Sequence, residues 1–127
     1  MNESELFDYI KMNYLNDLEQ SADKFSRWDC YSKEKNTRIE LKCRQTHYND
    51  LMIEKDKFIY LLIRNKLYGE KCFYINSTPK GIYSFDISQI KPTWITDKRM
   101  PTTTEFANND RKEKTYSLIN IAIAKII

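Results

Sequence analysis

No cysteines stand at the close, paired spacings of a zinc ribbon or a redox motif: Cys30, Cys43 and Cys72 are odd in number and scattered. That excludes both classes and fits a reducing cytoplasm. No basic-then-apolar leader opens the chain. Met1-Asn2-Glu3-Ser4-Glu5 is acidic, so export is not expected. No apolar run reaches bilayer length. The longest, Ile119 to Ile127, is broken by Asn120 and Lys125, so a soluble protein without a membrane partner is expected. A strong charge bias is missing too: the net charge of +3 mildly favours a polyanionic partner but lies below the range of a dedicated nucleic-acid binder. Repeats, low-complexity tracts and linkers are absent. Only two glycines occur, while Lys, Asn and Ile abound, a composition of AT-rich genomes such as a low-GC bacterium or its phage. The expected compartment is cytoplasmic, the host cytoplasm if the chain is phage-encoded.

What is present suffices for one domain over residues 1–127. At 41% hydrophobic, 31% charged and 13% aromatic, the chain has the composition of a folded globular protein. Leu6, Ile10, Tyr14 and Leu18 recur every four residues, predicting an amphipathic helix over about 4–20 with Ser4 as N-cap. Residues 26–31 and 37–44 alternate with a period near two around the polar cluster Ser32 to Asn36, which predicts a hairpin. A broad apolar face built on Leu51, Phe58, Leu61 and Leu62 predicts a second helix over 49–67, stopped by Gly69. Residues 72–75 and 82–87 predict a second hairpin, giving the order αββαββ. Residues 91–114 read as a long loop, a feature often functional in compact domains. The alternation of Ile119, Ile121 and Ile123 favours a closing strand.

The first hairpin carries the chemistry. With its turn between Glu34 and Lys35, antiparallel pairing sets Asp29 opposite Glu40. Two carboxylates whose Cβ atoms are about 5 Å apart repel each other unless a cation lies between them. Strand alternation puts Lys42 on the face of Glu40, while Ile39, Leu41 and Cys43 face the other way and can pack on helices. Hard carboxylate oxygens suit Mg²⁺ or Mn²⁺, and a bound metal acidifies water. An ammonium two residues along can neutralise charge that builds on an attacked phosphorus. The pattern therefore points to phosphodiester hydrolysis.

Trp28-Asp29, followed by Arg38-Ile39-Glu40-Leu41-Lys42-Cys43-Arg44 between two predicted helices, resembles the PD-(D/E)XK nuclease superfamily over roughly residues 5–90. The resemblance implies a restriction-endonuclease-like α/β core of αβββαβ type, a mixed sheet flanked by helices. It implies a Mg²⁺- or Mn²⁺-dependent nuclease acting on phosphodiester bonds in DNA, more expected than RNA, and of a structure-specific, junction-resolving or repair type. Asp29 and Glu40 would be metal ligands, the Leu41 carbonyl a third, and Lys42 the catalytic lysine. Lys57 could supply the polar group that members add from the following helix, and Glu19 a Glu from the first helix. Trp28 stands where the motif's proline would be, and the first strand of the three-strand meander is not visible.

Arg44 and the basic strip Lys55, Lys57, Arg64 and Lys66, with Lys57 foremost, are candidate phosphate contacts. For each, the plain alternative is a solvated face or a local ion pair. Trp94, Arg99 and Thr102-Thr103-Thr104 could form a flap over nucleic acid, or Trp94 could simply pin the loop. His47, the only histidine, is read as structural. So small a chain leaves specificity to nucleic-acid shape, a partner or a homodimer. Two rivals remain: an inactive nucleic-acid- or protein-binding module on the same fold, and a structural protein whose hairpin acids merely pair with nearby Lys and Arg.

Overall fold

The computed structural model describes residues 1–22, 28–101 and 111–127. Helix α1 runs Glu3–Asn13. Its N-cap is Asn2 rather than Ser4: the Asn2 side chain accepts from the Glu5 N–H, and the Glu5 carboxylate accepts from the Asn2 N–H, a reciprocal capping box. The helix stops well short of residue 20. Asp17, inside the predicted helix, is drawn off to the first hairpin turn, where it accepts from Ser32 Oγ at 2.5 Å and the Glu34 N–H at 2.9 Å. Leu18 still reaches the core from this non-helical stretch, which is why its spacing mimicked a helix.

Strands β1 (Glu19–Gln20), β2 (Asp29–Ser32) and β3 (Thr37–Cys43) form an antiparallel meander. The short β1 is the strand not visible in the sequence. The hairpin register is as expected, with Asp29 opposite Glu40 and Ser32 opposite Thr37. Strand β4 (Asp50–Glu54) precedes α2 (Lys55–Tyr68), so the predicted helix over 49–67 is part strand. Leu51 and Ile53 are buried and alternate with more exposed neighbours, a period that five residues inside an apolar face do not reveal. Gly69 closes α2 in the left-handed region, φ +69°, as expected. Strands β5 (Lys71–Thr78) and β6 (Gly81–Asp86) form the second hairpin.

Among the described residues, the predicted loop over 91–114 is in good part a ladder. Strands β7 (Ile95–Pro101) and β8 (Arg111–Asn120) pair antiparallel, with a register shift between Asp97 and Met100. Polar and charged, they carry little alternation, and the ladder that fixes β8 comes from β4, some sixty residues earlier. The closing strand also differs: β8 ends at Asn120, which caps a 3-10 turn over Ile121–Ile123, and β9 (Lys125–Ile126) follows.

Among the described residues the strands form a mixed six-stranded sheet, β1-β2-β3-β5-β6-β9, and a three-stranded sheet, β4-β8-β7. Strands β3 and β5 are parallel, joined through α2. Two cores lie on opposite faces of the large sheet. Leu6, Ile10 and Leu18 pack on Cys30, Ile39, Leu41 and Ile75, while Phe58 and Leu61 of α2 pack on Cys72, Tyr74 and Phe85. Ile39 and Leu41 thus turn toward α1, which leaves Arg38, Glu40 and Lys42 on the α2 face. Cys43 is on the inward face as expected, packed half-buried against the α1-side core at the end of β3. No described helix is long and apolar enough to cross a membrane.

Candidate active site

Asp29 and Glu40 lie side by side on β2 and β3, and both are buried, at 3% and 6% exposure. The Leu41 N–H donates to the Trp28 carbonyl. That makes residues 28 and 41 the hydrogen-bonded pair and Asp29 and Glu40 the adjacent, closer non-hydrogen-bonded pair. N–H and C=O of one strand residue point to the same side, so the Leu41 carbonyl also opens toward β2. Two acids this close in a dry setting are held by cations. Lys57, in the first turn of α2, donates to Glu40 Oε1 at 2.6 Å. Asp29 Oδ2 accepts from Arg38 at 3.0 Å and from the Tyr60 hydroxyl at 2.8 Å.

Burial pushes both carboxyls above the usual carboxylate range. For Asp29 the bond from Tyr60 and the Arg38 charge oppose the shift, and for Glu40 Lys57 opposes it while Asp29 adds to it. The Tyr60 phenol is pushed up to about 12, by burial and by its bond to Asp29. Asp29 Oδ1 is buried and accepts no hydrogen bond. A lone carboxylate oxygen without a donor is costly in a folded interior, and its residue pairs with Glu40 across the hairpin. Among the described residues no three His, Cys, Asp or Glu side chains cluster for a metal. The side chains therefore offer a hard-oxygen pair, Asp29 with its orphaned Oδ1 and Glu40, and this donor set fits Mg²⁺ or Mn²⁺.

Lys42 sits on the same face, one alternation beyond Glu40. Burial, followed by the nearby Arg44 charge, lowers its pKa. Among the described residues its ammonium makes no ion pair within 4 Å. The acid that α1 brings to this end of β3 is Glu3, which accepts from the Cys43 N–H and opposes the Lys42 shift. Glu19 lies outside α1, exposed on β1.

Arg44 is engaged elsewhere: it bonds Asn76 Oδ1, the Met52 carbonyl and the Tyr74 hydroxyl, stapling β3, β4 and β5. Lys55 is exposed, its ammonium 5.7 Å from the Trp94 ring centroid, and Trp94 packs edge-on against Phe58. His47 bonds Thr78 and Asn49. The Thr102–Thr104 run lies outside the described residues, as does any account of the Arg99 side chain.

Behind Asp29 the structure adds Tyr60 and Glu70, which the sequence reading passed over, and turns Arg64, read there as a phosphate contact, onto Glu70. Arg38 also donates to Glu70, and so does Arg64. Burial alone would raise the Glu70 carboxyl, but the bonds from Arg64 and Arg38 outweigh it and bring it down to about 2. Two signals existed. Arg38 shares the alternating face of Glu40 and Lys42, and Tyr60 lies one helical turn beyond Lys57.

The fold has a counterpart among solved structures. The chain is similar to Archaeoglobus fulgidus Hjc, a Holliday junction resolvase from an archaeal hyperthermophile, with a TM-score of 0.57 over 98% of this chain and 88% of that one. The fold is restriction-endonuclease-like. At 17% identity the likeness is one of fold. No protein-family model and no curated protein matches the sequence. The order α1-β1-β2-β3-α2-β5, with β3 and β5 parallel, is the αβββαβ core, and β4 is placed between β3 and α2.

Proposed function

We propose that residues 1–127 form one domain that is a metal-dependent nuclease, hydrolysing phosphodiester bonds in DNA with a preference for branched or otherwise non-duplex structure. The observation that carries this reading is the meeting of Asp29, Glu40 and Lys57 with a half-buried Lys42, without an ion pair among the described residues, on one face of β2, β3 and α2. Asp29 and Glu40, with the Leu41 carbonyl, would hold Mg²⁺ or Mn²⁺, which supplies Lewis acidity toward a phosphate oxygen and acidifies water. Lys42 places a positive charge where charge builds on the phosphoryl oxygens, and the low-dielectric setting magnifies its effect. Arg38 and Tyr60 fix Asp29 by its Oδ2 and leave Oδ1 without a hydrogen bond. The likeness to a junction resolvase favours DNA with strand junctions as the substrate class. A homodimer would supply a second active site for paired cuts, and the exposed Ile59, Ile63 and Leu67 along α2 offer it an apolar stripe.

The test is cleavage of labelled single-stranded, duplex, branched DNA and RNA in Mn²⁺ or Mg²⁺, with Glu40→Ala as control. Metal-dependent cutting that Glu40→Ala abolishes while remaining folded supports the nuclease. Inactivity on every substrate, with no thermal stabilisation by metal, would move the assignment to a binding module. One observation favours that second reading: each acid already has a cation, Arg38 for Asp29 and Lys57 for Glu40.

The same observation yields a prediction. Lys57 and a dication compete for Glu40, so Lys57→Met should tighten Mn²⁺ binding about tenfold, or roughly 1.4 kcal/mol, in calorimetric titration, while slowing cleavage. Weaker Mn²⁺ binding in the variant would show that Lys57 assists the metal instead of opposing it.

A further inference from the structure

Tyr60, Arg64 and Tyr68 follow one another at four-residue spacing, so they form a line along α2 about 12 Å long. The Arg64 guanidinium lies 4.0 Å from the Tyr68 ring centroid. Arg38 lies between two more rings, 4.8 Å from Tyr31 and 5.9 Å from Tyr60. Tyr60 and Tyr68 remain 39% and 61% exposed. Both guanidinium groups are immobilised by Glu70, and Arg38 is further held by Asp29. Their charges are matched by those two carboxylates, which accept five of their N–H groups.

A basic phosphate clamp carries uncompensated positive charge, whereas this surface is balanced in charge and presents exposed aromatic rings. Its ordering is achieved in the folded chain, so a ligand does not have to immobilise it. A planar, weakly polar group is what such a surface accommodates, and unpaired nucleobases stack on tyrosine irrespective of sequence. A duplex keeps its bases inside and presents phosphates, which a neutral surface does not attract. The line also starts at the candidate active site, because the Tyr60 hydroxyl donates to Asp29.

We propose that Tyr60, Arg64 and Tyr68 of α2, with Tyr31 and Arg38 beside them, form a stacking platform for unpaired bases flanking the phosphate to be cleaved. The platform makes single-stranded or splayed segments the recognised part of the substrate. The proposal rests on the nuclease reading for its placement, and its own content is the binding of unpaired bases.

The experiment measures binding of fluorescently labelled single-stranded, forked and blunt duplex DNA of equal length by anisotropy in EDTA, for wild type, Tyr68→Ala and Tyr68→Phe. Tyr68→Ala should weaken single-stranded and forked binding about tenfold and leave duplex binding unchanged, and Tyr68→Phe should retain it. No loss, or an equal loss on all three ligands, overturns the platform. So does a change from dimer to monomer in sedimentation, which would assign Tyr68 to self-association. Wild-type cleavage in Mn²⁺ separates the two readings. Structure-selective binding without cleavage sinks the nuclease and keeps the platform, while cleavage without any effect of Tyr68→Ala sinks the platform alone.

Discussion

Lys42→Met is expected to reduce cleavage by two to three orders of magnitude, about 10²–10³-fold, and to leave the melting temperature unchanged or higher. Lys42 is half-buried, burial lowers its pKa, and among the described residues it makes no ion pair within 4 Å. A charge kept dry without a partner costs free energy, and a side chain of similar length without the charge removes that cost. Stability and activity should therefore move independently. Single-turnover cleavage with saturating Mn²⁺, set beside thermal melts of both proteins, checks this. A large fall in melting temperature would make Lys42 a structural residue. Unchanged cleavage would remove it from the chemistry.

Glu70→Gln is expected to have the largest effect on stability. Glu70 is 4% exposed and receives both Arg38 and Arg64. Neutralising it leaves two guanidinium groups facing each other without their shared acid, and breaking a buried pair from one side typically costs about 3–5 kcal/mol. Arg64 retains some access to water, so the lower end, about 3 kcal/mol and on the order of a 10 °C fall in melting temperature, is expected. The pH dependence has a definite sign. The Glu70 carboxyl lies at about 2 in the folded protein, below its ordinary 4.5. Its contribution is complete above 4.5 and is lost as pH falls toward 2. The stability gap between wild type and Glu70→Gln, followed by urea denaturation, should close over that window. A gap that persists at the acid end would mean that shape rather than charge accounts for it. Cleavage should fall as well, since Arg38 holds Asp29.

The acidic pair was legible in the sequence because hairpin register depends on a local turn. The polar cluster Ser32 to Asn36 fixes the fold-back, and symmetry about it places Asp29 opposite Glu40. The two-period face that joins Glu40 and Lys42 is equally local, as are the stop at Gly69 and the second hairpin. Elements whose partners lie far along the chain were not legible. Strand β4 looked helical because its five residues adjoin a real helix, and only pairing with β8 makes them a strand. Strands β7 and β8 looked like loop because they have little apolar alternation, and their mutual ladder supplies the missing order.

The sequence by itself determined the pairing of two carboxylates with a lysine on one strand face and the helix that follows them, since turn position and alternation are properties of neighbouring residues. Only the tertiary structure decided which cations meet those acids. Lys57 and Tyr60 reach them because α2 packs across the sheet, and Arg38 is turned to Asp29 by Glu70, thirty-two residues away in sequence. Side-chain charge can be read in one dimension, but the distance between charges is set by packing.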